Sequence, residues 1–339
     1  MNQYESPDYI PNLLEKNGGR SIDPETIEYL HDIFETYYLN KITEVFINYD
    51  LLSKLEYRHE NLIYYLNKIY YLPNLERLVI RDIIITKEEI VSIAKLNYND
   101  LDIQGINISE KHLRELLTNK RLKKLNIRHL RSDKEIIMDF TKFDVSKLNI
   151  LILQHDKFKK FPIFSKFDNL RILELDNNKI ESIPSLINKL PLEELYLGNN
   201  FIKNLPNELG FLKNLKNLYL ENNDLFEIPS SFKNLDSLYS INLSSNKSLK
   251  LETLKNLPSN LKCIILKNMN IYEIPESLKS LRNLRILHLE SNYIQLTEKD
   301  LEIITELKDL KALYLSNNSS NVSKGVKYLQ RHLGTWIWS

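Results

Sequence analysis

From residue 170 onward the chain repeats itself, and this constrains its fold more than any other feature. Leu170, Leu173, Leu175, Asn178 and Ile180 are followed by Leu192, Leu195, Leu197, Asn200 and Ile202, then by Leu215, Leu218, Leu220, Asn223 and Leu225, each set fitting LxxLxLxxNxL. The asparagine position continues through Asn246, Met269, Asn292 and Asn318, so its spacing from Asn178 runs 22, 23, 23, 23, 23 and 26 residues. A fixed period in that range predicts a solenoid rather than a pair of globular domains. Weaker copies lie upstream at Leu148-Leu151-Leu153-Asp156-Phe158, Leu122-Leu125-Ile127-Leu130, Tyr98-Leu101-Ile103-Ile106-Ile108 and Leu75-Leu78-Ile80-Ile83-Ile85. A first copy at Ile42-Val45-Ile47-Asp50-Leu52 brings the array to about 11–12 repeats over residues 42–321.

The spacing has a physical reason. Side chains of a strand alternate between faces, so the second and third leucines of each copy point inward and the residues between them point outward. No repeat buries its apolar face alone; stacking neighbours does so. Leu173, Leu195 and Leu218 are therefore core, each contributing roughly 1.5–3 kcal/mol when fully buried.

These residues resemble the leucine-rich repeat family. The resemblance implies an α/β horseshoe solenoid in which each repeat supplies a short strand of a parallel concave sheet, a tight turn and a return segment. It also implies that Asn178, Asn200, Asn223, Asn246, Asn292 and Asn318 form a ladder of buried amides bonded to neighbouring backbone. Phrases such as Ile228-Pro229-Ser230-Ser231-Phe232-Lys233-Asn234-Leu235 make the C-terminal two-thirds similar to the intracellular repeats of Ras-binding and phosphatase-associated scaffolds.

Return segments differ along the chain. A proline follows the asparagine position by six residues at Pro162, Pro184, Pro206, Pro229 and Pro275, fixing φ and removing a donor, which predicts extended or short helical returns. Earlier repeats carry helix starts instead, at Thr86-Lys87-Glu88-Glu89, at Ser109 and at Ser132-Asp133-Lys134-Glu135, and Thr297-Glu298-Lys299-Asp300 repeats the signal late. The open ends of a solenoid need covers. Residues 1–22 read as a tail, 23–41 as an N-terminal helical cap beginning at Asp23-Pro24-Glu25, and 322–339 as a C-terminal cap with Val326, Leu329, Leu333, Trp336, Ile337 and Trp338.

Composition narrows the function. Basic and acidic side chains number 46 and 45, so no global charge favours nucleic acid or a membrane surface. One cysteine, Cys263, forms no internal disulfide or multi-thiolate zinc site. No secretory or membrane-spanning segment is visible, so the cytoplasm is the expected location. Seven glycines and the absence of GxxxxGK[ST] and GxGxxG argue against a phosphate-cradling loop. No cofactor or metal is expected. Cys263 lacks a neighbouring histidine base, and the chain leaves no room after the repeats for the cysteine ubiquitin-ligase domain that some bacterial effectors of the family carry. His129 and His155 hold equivalent positions in adjacent repeats, where two rim imidazoles are expected rather than a metal site, because Arg128 adds positive charge and no third ligand is visible.

The outward strand positions offer a better site. Later repeats carry Glu174, Asp176, Glu194, Tyr196, Tyr219, Glu221, His288, Glu290 and Tyr314 there. Earlier ones carry Arg77 and Arg81, Asp100 and Asp102, then Lys124 and Arg128, which predicts a basic early face and an acidic, tyrosine-bearing later one. Aromatic anchors beside charges suit a protein interface. The expectation is a non-enzymatic, monomeric interaction scaffold whose concave face binds a protein partner, one with a basic surface matching the later repeats. A pathogen effector or defence-related recognition protein and a regulatory subunit of a signalling enzyme are the alternatives.

Overall fold

The computed structural model describes residues 21–22, 42–48, 63, 66–67, 69–105, 109–129, 139–141, 144–155, 158–164, 167–319, 322–333 and 336–338. The chain divides into two compact units, residues 1–156 with 165–169, and residues 157–164 with 170–339.

The first unit contains β1 (Ser21–Ile22), β2 (Glu44–Asn48), β3 (Arg77–Arg81), β4 (Asp100–Gln104), β5 (Lys124–Arg128) and β6 (Ile150–Gln154), parallel and paired in chain order. Leu78, Leu101, Leu125 and Leu151 stand in one register row and Ile80, Ile103, Ile127 and Leu153 in another, all fully buried. Of the first repeat copy, Val45 and Ile47 are buried in β2 and Ile42 is buried just before it; its Asp50 and Leu52 lie outside the described residues. Ser21 and Ile22, within the expected tail, instead form a strand, because Ile22 falls in register with buried Val45 and extends the parallel pairing. The expected cap helix at 23–41 and the helix start at Ser132 lie outside the described residues.

Both other early helix starts are realised. Thr86 caps α1 (Lys87–Ala94): its backbone N–H donates to Glu89 Oε2 at 2.6 Å, and the Glu89 N–H donates back to Thr86 Oγ1 at 3.3 Å. This capping box satisfies two helix-end donors and explains how Glu89 is fully buried. Ser109 caps α2 (Glu110–Leu116) in the same manner, with His112 as the reciprocal partner.

The second unit contains β7 (Ile172–Glu174), β8 (Glu194–Tyr196), β9 (Asn217–Tyr219), β10 (Ser240–Asn242), β11 (Cys263–Ile265), β12 (Ile286–His288), β13 (Ala312–Tyr314) and β14 (Trp336–Trp338). These are also parallel neighbours in chain order. Their returns are 3-10 turns at Ser185–Lys189, Asn207–Phe211, Ser230–Asn234, Leu251–Asn256 and Glu276–Ser280. Pro184, Pro206, Pro229 and Pro275 stand just before four of them with φ between −72° and −61°, which pre-sets the chain for the turn. Each turn buries one apolar side chain, Ile187, Leu209, Phe232, Leu254 or Leu278. The late helix start is realised as α3 (Glu298–Glu306), where the buried Asp300 accepts from the backbone of both Thr297 and Ile274.

The amide ladder runs through the second unit, interrupted at Met269, whose sulfur accepts from the Asn246 N–H. Asn200 Oδ1 accepts from the Ile180 N–H at 2.9 Å, while its amide nitrogen donates to the carbonyls of Leu175, Leu197 and Gly198. Asn223, Asn246, Asn292 and Asn318 repeat the arrangement. Each amide therefore satisfies backbone from its own repeat and the preceding one, so a polar side chain is stable inside.

Among the described residues, the one immediately before each asparagine position has a left-handed backbone. Asp82, His129 and His155 in the first unit, and Asn177, Asn199, Asn222, Ser245, Asn268, Ser291 and Asn317 in the second, have φ between 52° and 60°; Gly105 has 67°. Asparagine, aspartate and histidine tolerate this region better than most side chains, so His129 and His155 are turn residues.

The chain closes with α4 (Val322–Leu333), which buries Val326 and Leu329, and then β14. The stretch read as a cap thus supplies one further strand, with Ile337 in register with core Leu313.

Candidate functional site

Outward positions of the second unit form three columns. The central column runs Glu174, Tyr196, Tyr219, Asn242, Ile265, His288, Tyr314 and Trp338. Beside it Glu194, Asn217, Ser240, Cys263, Ile286, Ala312 and Trp336 continue the strand-entry side. On the strand-exit side stand Asp176, Gly198, Glu221, Ser244, Lys267 and Glu290. Parallel strands lie about 4.8 Å apart, so neighbours in one column touch.

The structure brings the expected site residues together as two groups. In the first, the Tyr196 and Tyr219 rings stack with centroids 4.4 Å apart and planes 7° from parallel. The Tyr196 hydroxyl donates to Glu194, and Asp176 accepts from the Gly198 N–H at 2.7 Å. Gly198 leaves the room this group needs: a Cβ there would sit 2.7 Å from Glu221 Oε1 and 3.1 Å from Asp176 Oδ1. Burial pushes the Glu221 carboxyl pKa up. Burial also raises the Tyr196 and Tyr219 phenol pKa values, reinforced at Tyr196 by its bond to Glu194 and at Tyr219 by the charge of Glu194, so both stay neutral donors.

In the second group His288 stacks on Tyr314 at 4.1 Å, and Tyr314 lies parallel to Trp338 at 6.1 Å. Glu290 pairs with Lys267 at 2.9 Å and with His288 Nδ1 at 3.0 Å. Burial alone would raise the Glu290 carboxyl pKa, but the bonds to Lys267 and His288 outweigh it and hold it below the usual range. Asn242 and Ile265 separate the two groups along the column. Trp336 and Trp338, 74% and 56% exposed, belong to this face and were assigned to a cap from sequence. Their outward-inward-outward alternation around Ile337 was the available signal, hidden by the lack of a leucine consensus.

The outward face of the first unit differs from expectation. Arg77 donates to Glu44 at 2.7 Å and Asp102 at 3.0 Å and lies 3.5 Å from Asp100; Lys124 is 3.5 Å from Asp100 and Arg81 is 3.7 Å from Asp102. Cation and carboxylate therefore alternate in contact, and the face is an internally paired network rather than a basic surface. Its central column begins at half-buried Phe46 and continues through Val79, Asp102, Asn126 and Ile152, which are buried.

Other candidates resolve simply. His129 and His155 stack at 4.6 Å, and burial, then the charges of His129 and Arg128, lower the His155 pKa. Among the described residues no group of three or more histidine, cysteine, aspartate or glutamate side chains could hold a metal ion. Cys263 is buried, and burial raises its thiol pKa, the opposite of an activated nucleophile. No helix among the described residues is long and apolar enough to cross a membrane.

Comparison with known proteins agrees with this architecture. A family model described as a leucine-rich repeat region matches residues 147–338. No curated protein matches the chain. Among solved structures, an internalin (inlF) from Listeria monocytogenes is 19% identical, with 82% of this chain and 88% of that one covered and a TM-score of 0.52. A TLR13–ssRNA13 complex is 22% identical, with 88% of this chain covered, 39% of that chain spanned and a TM-score of 0.57. At these identities the likeness is one of fold.

Proposed function

Because the chain belongs to the leucine-rich repeat family, commonly a protein–protein interaction module, we propose that it is a non-enzymatic binding protein whose second unit takes a protein partner on the outward face of β7–β9 and β12–β13. The Tyr196–Tyr219 stack, flanked by Glu174, Glu194 and Glu221, carries the reading. Stacked rings cover each other's faces and turn edges and hydroxyls outward, so they offer apolar contact together with directed hydrogen bonds. The adjoining carboxylates favour lysine or arginine on the partner and set its approach. His288, Glu290 and Tyr314 extend the contact along the same column, with Asp176 holding the Gly198 turn beneath it. In this reading the protein acts as a cytoplasmic monomer.

Affinity purification with mass spectrometry tests the site. A Tyr196→Ala/Tyr219→Ala/Glu221→Ala variant that melts as the parent does should lose the partners that the parent recovers. Equal recovery by both would assign recognition to another surface.

A further inference from the structure

The position one residue after the first leucine of each repeat lies at the rim, where the chain enters its strand. In the second unit this row reads Arg171, Glu193, Lys216, Tyr239, Lys262, Arg285 and Lys311. Successive members are joined by backbone hydrogen bonds of 2.7 to 3.0 Å, and the row ends where the Trp336 N–H donates to the Lys311 carbonyl at 2.9 Å.

The two halves of this row have opposite electrostatics. Glu193 stands between Arg171 and Lys216, 3.7 Å from one and 2.6 Å from the other. Beyond Tyr239 no carboxylate interrupts Lys262, Arg285 and Lys311, and none of the three forms an ion pair among the described residues. The loop position three residues earlier behaves alike: Lys213 pairs with Asp236 at 3.1 Å, whereas Arg282 and Lys308 are exposed without an ion pair. Asp309 is the one carboxylate in these last entry loops. Strand spacing of about 4.8 Å keeps such like charges close, an arrangement that a counter-charge from outside relieves.

We propose that this rim, formed by Lys262, Arg282, Arg285, Lys308 and Lys311 beside Trp336, docks an acidic segment of a protein partner, a run of aspartate and glutamate next to an apolar side chain. The cluster is short, two strand spacings or about 10 Å, which matches about three residues of extended chain. Across the same strands the exit side carries Lys267, Glu290 and Ser316, with Glu290 already paired to Lys267 and His288, so the uncompensated charge is confined to the entry flank. A short protein segment with a few carboxylates matches a charge confined to one flank. Nucleic-acid affinity also draws on many phosphate contacts, more than this cluster supplies. The exposed Trp336 ring gives the apolar neighbour a surface to pack on.

The chain's two tryptophans, Trp336 and Trp338, both lie at this end, so intrinsic emission reports the site without a label. The full chain is titrated with a short oligoglutamate peptide ending in leucine and, separately, with a single-stranded oligonucleotide of equal charge. The peptide should give a saturable emission change that weakens as salt rises. A Lys262→Ala/Arg285→Ala/Lys311→Ala variant should bind it about tenfold more weakly. Lys213→Ala/Lys216→Ala and Tyr196→Ala/Tyr219→Ala should bind it as the parent does, which separates this rim from the tyrosine site. No saturation, an unchanged triple variant, or a response to the oligonucleotide alone would each overturn the proposal.

Discussion

In the first unit, Ile83 occupies the position that carries Asn178, Asn200 and Asn223 in the second, and it is buried like them. An isoleucine can fill the turn, but it cannot satisfy backbone carbonyls. The first unit accordingly keeps its peptide groups in five-residue strands and in α-helices, which bond their own backbone. Apart from α3 and the closing α4, the second uses three-residue strands and 3-10 turns, with asparagine amides serving the carbonyls between. One amide per repeat thus substitutes for a longer strand and a fuller helix.

The strongest challenge to this contrast is a charge in the shared core. Leu218→Asp should cost more than about 4 kcal/mol in urea unfolding, because a fully buried leucine row has no partner for a carboxylate. Native stability in that variant would mean the strand phase is misassigned. Asn223→Ala should cost about 3 kcal/mol, since the Ile202 N–H and three carbonyls lose their partner. Met269 provides the reverse experiment. Its sulfur accepts from the Asn246 N–H where an amide would complete the ladder, so Met269→Asn should change stability by less than about 1 kcal/mol, toward a gain.

The close packing of the 3-10 turns gives a smaller test. A Cβ on Gly210 would lie 2.5 Å from the Ser231 backbone in the next turn, so Gly210→Ala should cost about 1–3 kcal/mol by thermal melting. An unchanged melting temperature would show that these turns can slide apart.

Acid titration compares the two outward faces most gently. Burial raises the Asp100 carboxyl pKa in the first unit despite Lys124 and Arg77, whereas in the second the bonds from Lys267 and His288 overcome burial at Glu290 and lower its pKa. As pH falls, the folded protein should protonate Asp100 before its unfolded chain does, so this group favours folding toward acid. Glu290 contributes stability above its unfolded pKa and loses it as pH falls through the lower folded value. Carboxyl chemical shifts followed by NMR should place Asp100 above and Glu290 below the ordinary range; the reverse order would contradict the network described.

Much of this was legible in the amino acids. Leu173, Leu195 and Leu218 announce strand phase because side-chain alternation admits only one inward set, and the recurrent asparagine requires a buried backbone partner. The Thr86 and Thr297 boxes are local and equally readable. Pairing was not: Arg77 and Asp102 are distant in sequence, and their charges alone do not tell that one neutralises the other. The left-handed row was readable in principle, since Asp82, His129, His155 and Asn177 share one repeat position. The rim of Lys262, Arg285 and Lys311 fell outside the alternating strand positions and showed itself only when its earlier counterparts proved to be paired.

The parallel rings at Tyr196–Tyr219 and His288–Tyr314 carry a thermodynamic consequence. Each ring is wedged by the next strand's ring, so its rotamer freedom is surrendered when the chain folds. A partner bound there as proposed would be spared that loss, worth about 0.5–1.5 kcal/mol for each side chain it would otherwise immobilise. On the proposed reading of this face, folding would already have done part of the work of recognition, leaving a rigid template.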